Sequence, residues 1–157
     1  MEKEVVLKLI NKGYSIAFAE SCTAGLCAAK LVDVADASKV LKVSFVTYSN
    51  EAKMKYLDVK KEDIDRYDVV SEMVAKEMAI GVAKEASAEI GVGVTGVAGP
   101  TGGSNLIPVG TVCFGFYING EIYTNTIYFG NLGRNNVRIK ACEYVFKRLN
   151  DLLWKEF

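Results

Sequence analysis

The chain has 157 residues, half of them hydrophobic, which suits a single domain with a sizeable core. Lysine plus arginine and aspartate plus glutamate number 19 each, so the formal net charge is zero and no electrostatic case exists for nucleic acid or an anionic membrane. Histidine is absent, which excludes Ser-His-Asp and Cys-His catalysis and most catalytic zinc sites.

In chain order, residues 3–12 read as a short helix. Met1-Glu2-Lys3-Glu4 leads into it with no long apolar run behind, and no stretch reaches the ~18 apolar residues of a membrane span, so a cytoplasmic location is expected. Tyr14–Ala19 read as a strand ending at Glu20-Ser21, followed by a helix over Cys22–Val32 with small residues at its start. Val40–Tyr48 is a second strand, Asn50–Leu57 a short helix and Lys61–Arg66 a helical turn. Ser71 is placed to cap a helix running to about Ala86, with Val74, Met78 and Val82 beside Ala75, Ala79 and Ala83 on one apolar face. Ile90–Val94 is a glycine-interrupted strand, and Thr95–Ile107 is a loop rich in glycine. Val109–Ile118 and Ile122–Phe129 flank Asn119-Gly120, a strong hairpin signal. The last helix runs from about Arg134, with Ile139, Cys142, Phe146, Leu149 and Leu153 as its buried stripe. Helices between strands imply parallel crossovers, and the hairpin adds antiparallel strands. The expected fold is therefore a single α/β domain over 1–157, a three-layer α/β/α sandwich with a mixed sheet and a C-terminal hairpin plus helix.

Four segments have the makings of a site. In Ala19-Glu20-Ser21-Cys22-Thr23-Ala24-Gly25 a strand runs into Ser21 and small residues open a helix, where free N–H groups hold an anion or oxyanion. Ser21 is placed either as a nucleophile or as an N-cap. In Tyr48-Ser49-Asn50-Glu51-Ala52-Lys53 the lysine falls in the first helical turn, whose positive end lowers its pKa toward that of a general base; an ordinary surface lysine is the plainer reading. Gly96, Gly99, Gly102 and Gly103 let backbone approach a phosphate or sugar, although the loop fits neither the P-loop nor the dinucleotide fingerprint. Arg134 and Arg138 lie four apart, able to clamp a phosphate or to make surface ion pairs. The cysteines, Cys22, Cys27, Cys113 and Cys142, form no C-x-x-C pair and read as buried thiols, so no metal site is expected.

The strings AESCTAG, YSNEAK, VSE, GVTGVAGPTGG and PVGTV and the terminal GR…R resemble, in order and spacing, the C-terminal domain of CinA proteins and the stand-alone nicotinamide-nucleotide amidases. The likeness spans roughly residues 4–150. It implies a cytoplasmic, metal-free and cofactor-free hydrolase that converts nicotinamide mononucleotide and water to nicotinate mononucleotide and ammonia. It also implies self-association as a dimer or higher and a small-molecule nucleotide as substrate, while the zero net charge argues against nucleic acid and membrane as partners. Carried over by motif, Ser21 is the nucleophile, with Tyr48 and Lys53 as its activating partners. Cys22 and Thr23 supply oxyanion N–H groups. Thr95, Gly96, Gly99 and Gly102 hold the ribose phosphate together with Arg134 or Arg138. Cys22 as nucleophile, or water activated by Lys53, are rival chemistries, and a non-catalytic nucleotide-binding module is a rival function. The chain departs from the family pattern at Ala24, where the family usually has glycine, and at Gly133, where it usually has aspartate. Larger members also carry an N-terminal nucleotide-processing domain, which is not expected in this single-domain reading.

Overall fold

A computed structural model describes residues 1–155. Its elements are α1 (Glu2–Lys12), β1 (Ile16–Glu20), α2 (Leu26–Val32), β2 (Leu41–Val46), α3 (Asn50–Leu57), α4 (Lys61–Tyr67), α5 (Glu72–Ala86), β3 (Ile90–Gly96), β4 (Thr111–Ile118), β5 (Glu121–Tyr128) and α6 (Arg134–Lys155). The strands form one sheet in the order β2-β1-β3-β4-β5. β1 is parallel to β2 and β3, and β4 runs antiparallel to β3 and β5. The expected mixed sheet is found, with helices on both faces. Among the described residues no helix is long and apolar enough to cross a membrane.

Side-chain alternation divides the core. Ile16 and Phe18 of β1, Ile90, Val92 and Val94 of β3, and Phe114 and Phe116 of β4 face a cluster that includes Val5, Leu31, Val145 and Phe146 from α1, α2 and α6. Ala17 and Ala19 face the other way, with Val74, Met78 and Val82 of α5. That second face is cut low for close approach. A Cβ built on Gly93 would stand 2.3 Å from the Ala75 carbonyl oxygen, and one on Gly115 would stand 2.3 Å from the same atom. Glycines of β3 and β4 thus seat α5 directly on the sheet. Ser71 caps α5 as its position suggested, its hydroxyl accepting from the Val74 N–H at 3.2 Å.

Two local expectations need correction. The helix expected from Cys22 begins only at Leu26, because Ala24 (φ 48°) and Gly25 (φ 96°) are left-handed and cannot continue a right-handed helix. Ser21–Gly25 is instead a turn. Ile139 is 46 % exposed, and Val137, Ala141, Val145 and Leu149 take the inner face of α6. Ile139 lies about 200° round the axis from Ala141, at ~100° per residue.

Alanine in a left-handed conformation costs about 1 kcal/mol that glycine does not. Ala24 is exposed, so no packing repays it. Ala24→Gly should therefore stabilise the protein by about 1 kcal/mol, raising Tm by roughly 2–4 °C. An unchanged or lowered Tm by calorimetry would contradict this.

Candidate active site

The parallel strands β1, β2 and β3 end together. Glu20 is level with Val46 on one side and Val94 on the other, so Ser21, Thr47 and Thr95 follow as one row. The Ser21 N–H donates to the Val94 carbonyl at 3.1 Å and the Thr47 N–H to the Glu20 carbonyl at 2.9 Å. The connection after β1 crosses one face and that after β2 the other, which opens a crevice at the carboxyl ends of such strands. A cavity of about 340 Å³ lies there, lined by Ser21, Cys22, Tyr48, Lys53, Thr95 and Arg134 among others. Gly96, Gly99 and Gly102 complete its wall on the side of the loop after β3.

Lys53 is 1 % exposed. Its Nζ donates to the Thr47 carbonyl at 2.7 Å and the Tyr48 carbonyl at 3.2 Å, and lies 3.0 Å from Ser21 Oγ. Desolvation by burial lowers its pKa from an ordinary 10.5 to about 8. The expected direction is right, but burial rather than the helix end is the cause. Ser49 sets the lysine's position by capping α3, accepting from the Ala52 N–H at 3.0 Å. The weak amphipathic pattern of this short helix gives no hint that one of its lysines is buried.

Cys22 also lines the cavity, but burial pushes its thiol up to about 12. It stays protonated near neutral pH and is a poor nucleophile. Thr95 is buried, its hydroxyl donating to the Val69 carbonyl at 3.0 Å, which fixes the Val69-Val70 wall ahead of α5.

Glu20 carried no role in the sequence reading, yet it is wholly buried. Its carboxylate accepts from the N–H of Cys27 at 2.9 Å, the N–H of Ala28 at 3.1 Å and the Ser44 hydroxyl at 3.2 Å. The start of α2, expected to receive an anion from outside, is capped by the protein's own side chain. Strand alternation was the available signal, since a carboxylate one residue before Ser21 must face the opposite side of the sheet from it.

The two arginines separate. Arg134 lines the cavity, donating to the Gly99 carbonyl at 2.8 Å and the Tyr48 hydroxyl at 2.9 Å. Arg138 turns to the Ser21–Gly25 turn, donating from Nε to the Cys22 carbonyl at 2.8 Å and from its guanidinium to the Thr23 carbonyl at 3.2 Å. Neither Arg138 nor Thr23 is among the lining residues. Thr23 is fully buried, and among the described residues its hydroxyl has no hydrogen-bond partner. Tyr48 meets Lys53 through its carbonyl, while its hydroxyl goes to Arg134. Asn50 and Thr101, within two of the candidate segments, also line the cavity, and Val69 and Val70 join them through tertiary packing alone. Among the described residues no group of three or more His, Cys, Asp or Glu side chains is placed to hold a metal ion.

Residues 1–153 match the sequence model of the CinA C-terminal domain family. The CinA-like protein of Kosmotoga olearia is 47 % identical over 143 residues, 90 % of this chain and 34 % of that protein. The CinA-like protein of Petrotoga mobilis is 43 % identical over 150 residues, 95 % of this chain and 37 % of that one. The chain thus spans about a third of the length of these curated relatives. Among solved structures, the competence-damaged protein (CinA) superfamily protein of Klebsiella pneumoniae superposes with a TM-score of 0.94 at 34 % identity, covering 98 % of this chain and 96 % of that one. The corresponding Escherichia coli protein gives 0.91 at 35 % identity, covering 97 % and 90 %.

Proposed function

The chain belongs to the CinA C-terminal domain family, and on that footing we propose that it hydrolyses the carboxamide of nicotinamide mononucleotide to nicotinate mononucleotide and ammonia. The observation that carries the reading is the set of three contacts at Lys53 Nζ. A neutral amine has two N–H groups and one lone pair. The Thr47 and Tyr48 carbonyls accept the two N–H groups, which leaves the lone pair for the Ser21 hydroxyl. With burial lowering the lysine's pKa to about 8, a fraction of it is uncharged near neutral pH, and this is a nucleophile paired with its base.

Lys53 takes the Ser21 proton as Oγ bonds to the carboxamide carbon. The tetrahedral oxyanion is met by main-chain N–H groups of the Cys22–Thr23 segment. The C–N bond breaks, and ammonia leaves with the proton returned by Lys53. Water, deprotonated by Lys53, hydrolyses the Ser21 ester and releases the acid. The positive pyridinium ring aids attack by withdrawing electrons from the amide. Thr95 and the loop through Gly96, Gly99 and Gly102 form the side for ribose and phosphate, with Arg134 as the cation. A dimer or higher assembly belongs to the same proposal.

Incubation of the purified protein with nicotinamide mononucleotide, with ammonia and nicotinate mononucleotide both assayed, tests the reading. Absence of both products, with binding retained, would favour a nucleotide-binding module instead. Arg134→Ala should weaken capture of the mononucleotide by about 1.5–3 kcal/mol, the range for a hydrogen bond to a charged group. KM should rise by roughly 10–150-fold, while the phosphate-free riboside, already poor, should be little affected. An equal loss for both substrates would remove Arg134 from the phosphate side.

A further inference from the structure

We propose that Arg138, although outside the cavity, is a positioning residue that builds the oxyanion site of the amidase proposed above, on whose reaction this inference rests. The Ser21–Gly25 turn offers few free donors. The Ser21 N–H goes to the Val94 carbonyl, and the Ala24 N–H returns to the Ser21 carbonyl at 3.1 Å. Among the described residues the N–H groups of Cys22, Thr23 and Gly25 donate to no acceptor of another residue, and those of Cys22 and Thr23 follow Ser21 directly in the chain. These are the groups left to meet charge developing beside Ser21 Oγ.

Arg138 sets the direction of the Thr23 N–H. The Cys22 carbonyl and the Thr23 N–H belong to one planar trans peptide and point opposite ways. Arg138 Nε holds that carbonyl at 2.8 Å, on the side of α6. The Thr23 N–H is therefore turned away from α6. The guanidinium holds the next carbonyl, that of Thr23, at 3.2 Å, so two successive peptides are fixed by one planar fork. A cation on a carbonyl also polarises its peptide and strengthens the N–H at the other end. Asn135 Oδ1, 3.2 Å from Arg138, steadies the fork on its own helix. From the other side Glu20 pins the start of α2 through the Cys27 and Ala28 N–H groups. The turn is thus held at both ends while the Cys22 and Thr23 N–H groups between them have no acceptor in another described residue.

The role differs from substrate binding in what it predicts. Arg138→Ala should lower kcat by about 100-fold, the scale of one lost oxyanion donor, with KM within about twofold of wild type and an unchanged pH midpoint. Added methylguanidinium should restore part of kcat. Arg138→Lys, with a single-point ammonium in place of the fork, should also lose most of kcat. In 15N-labelled protein either variant should shift the Thr23 and Ala24 amide resonances and speed hydrogen exchange at Ala24, and this readout needs no turnover. A raised KM at unchanged kcat would make Arg138 a substrate contact and overturn the proposal. So would unchanged kcat, or unmoved Thr23 and Ala24 resonances. Lack of ammonia from the wild-type protein would instead overturn the amidase reading, and with it the role of Arg138 in that reaction.

Discussion

Ser21→Ala and Lys53→Met should each abolish turnover of nicotinamide mononucleotide, by at least about 10³-fold, and the double variant should be little worse than either alone. The reason is the single hydrogen bond that joins them, 3.0 Å long and buried. A serine hydroxyl without a base is a weak nucleophile, and an amine with no hydroxyl to deprotonate has nothing to activate. Effects within such a unit do not add. Steady-state ammonia release with the two single variants and the double variant measures this directly. Additive losses would mean that the two residues act separately. Cys22→Ser should keep substantial activity, since the thiol, pushed up to about 12, is not the attacking group. An inactive Cys22→Ser beside an active Ser21→Ala would reverse the assignment.

The second large effect is on pH. With Lys53 lowered to about 8, kcat/KM should rise tenfold per pH unit below 8 and level off above it, leaving about 1 % of the plateau at pH 6. A profile flat from pH 6 to 9 would exclude Lys53 as the base. Stability should follow the same group with a definite sign. Between about 8 and 10.5 the unfolded chain binds a proton that the folded chain does not, so folding becomes more favourable as pH rises through this window. Below about 8 the cost of the lowered pKa is fully present, of order 3 kcal/mol. Denaturant unfolding at pH 7.5 and 10.5 should show wild type gaining on Lys53→Met by that order. An equal response of the two proteins would place the burial cost elsewhere.

These predictions rest on residues that differ in how far the sequence reveals them. Asn119-Gly120 needs two left-handed residues and nothing else, and both take that conformation, with φ 46° and 100°. Ser71 declares its helix by local chemistry. Ser21 and Lys53 stand out because a strand end and a helix start have recognisable signatures, and their motifs sit in a familiar order. The start of α2 was misplaced because the turn is left-handed at Ala24, a residue that does not advertise that conformation. The contacts of Glu20 and Arg138 escaped for a different reason. Their partners are main-chain groups seven and more than a hundred residues away, and no local pattern records which carbonyl or N–H a side chain will find. The sequence could name both arginines as candidates, but only packing separates the one in the cavity wall from the one behind the turn.

The close seating of α5 makes the sheet and the cavity one mechanical body. Where Gly93 and Gly115 meet the Ala75 carbonyl there is no side-chain layer to absorb a displacement, so backbone bears on backbone. The same helix is entered through Val69 and Val70, which wall the cavity and are tied to Thr95. A single methyl added at Gly93 acts as a wedge under a lever. Lifting α5 there would carry the Val69-Val70 wall outward and pull on the Thr95 tether, with the Ser21–Lys53 pair chemically unaltered. The spacing of sheet and helix is thus linked to the cavity wall through a contact that takes no part in the reaction.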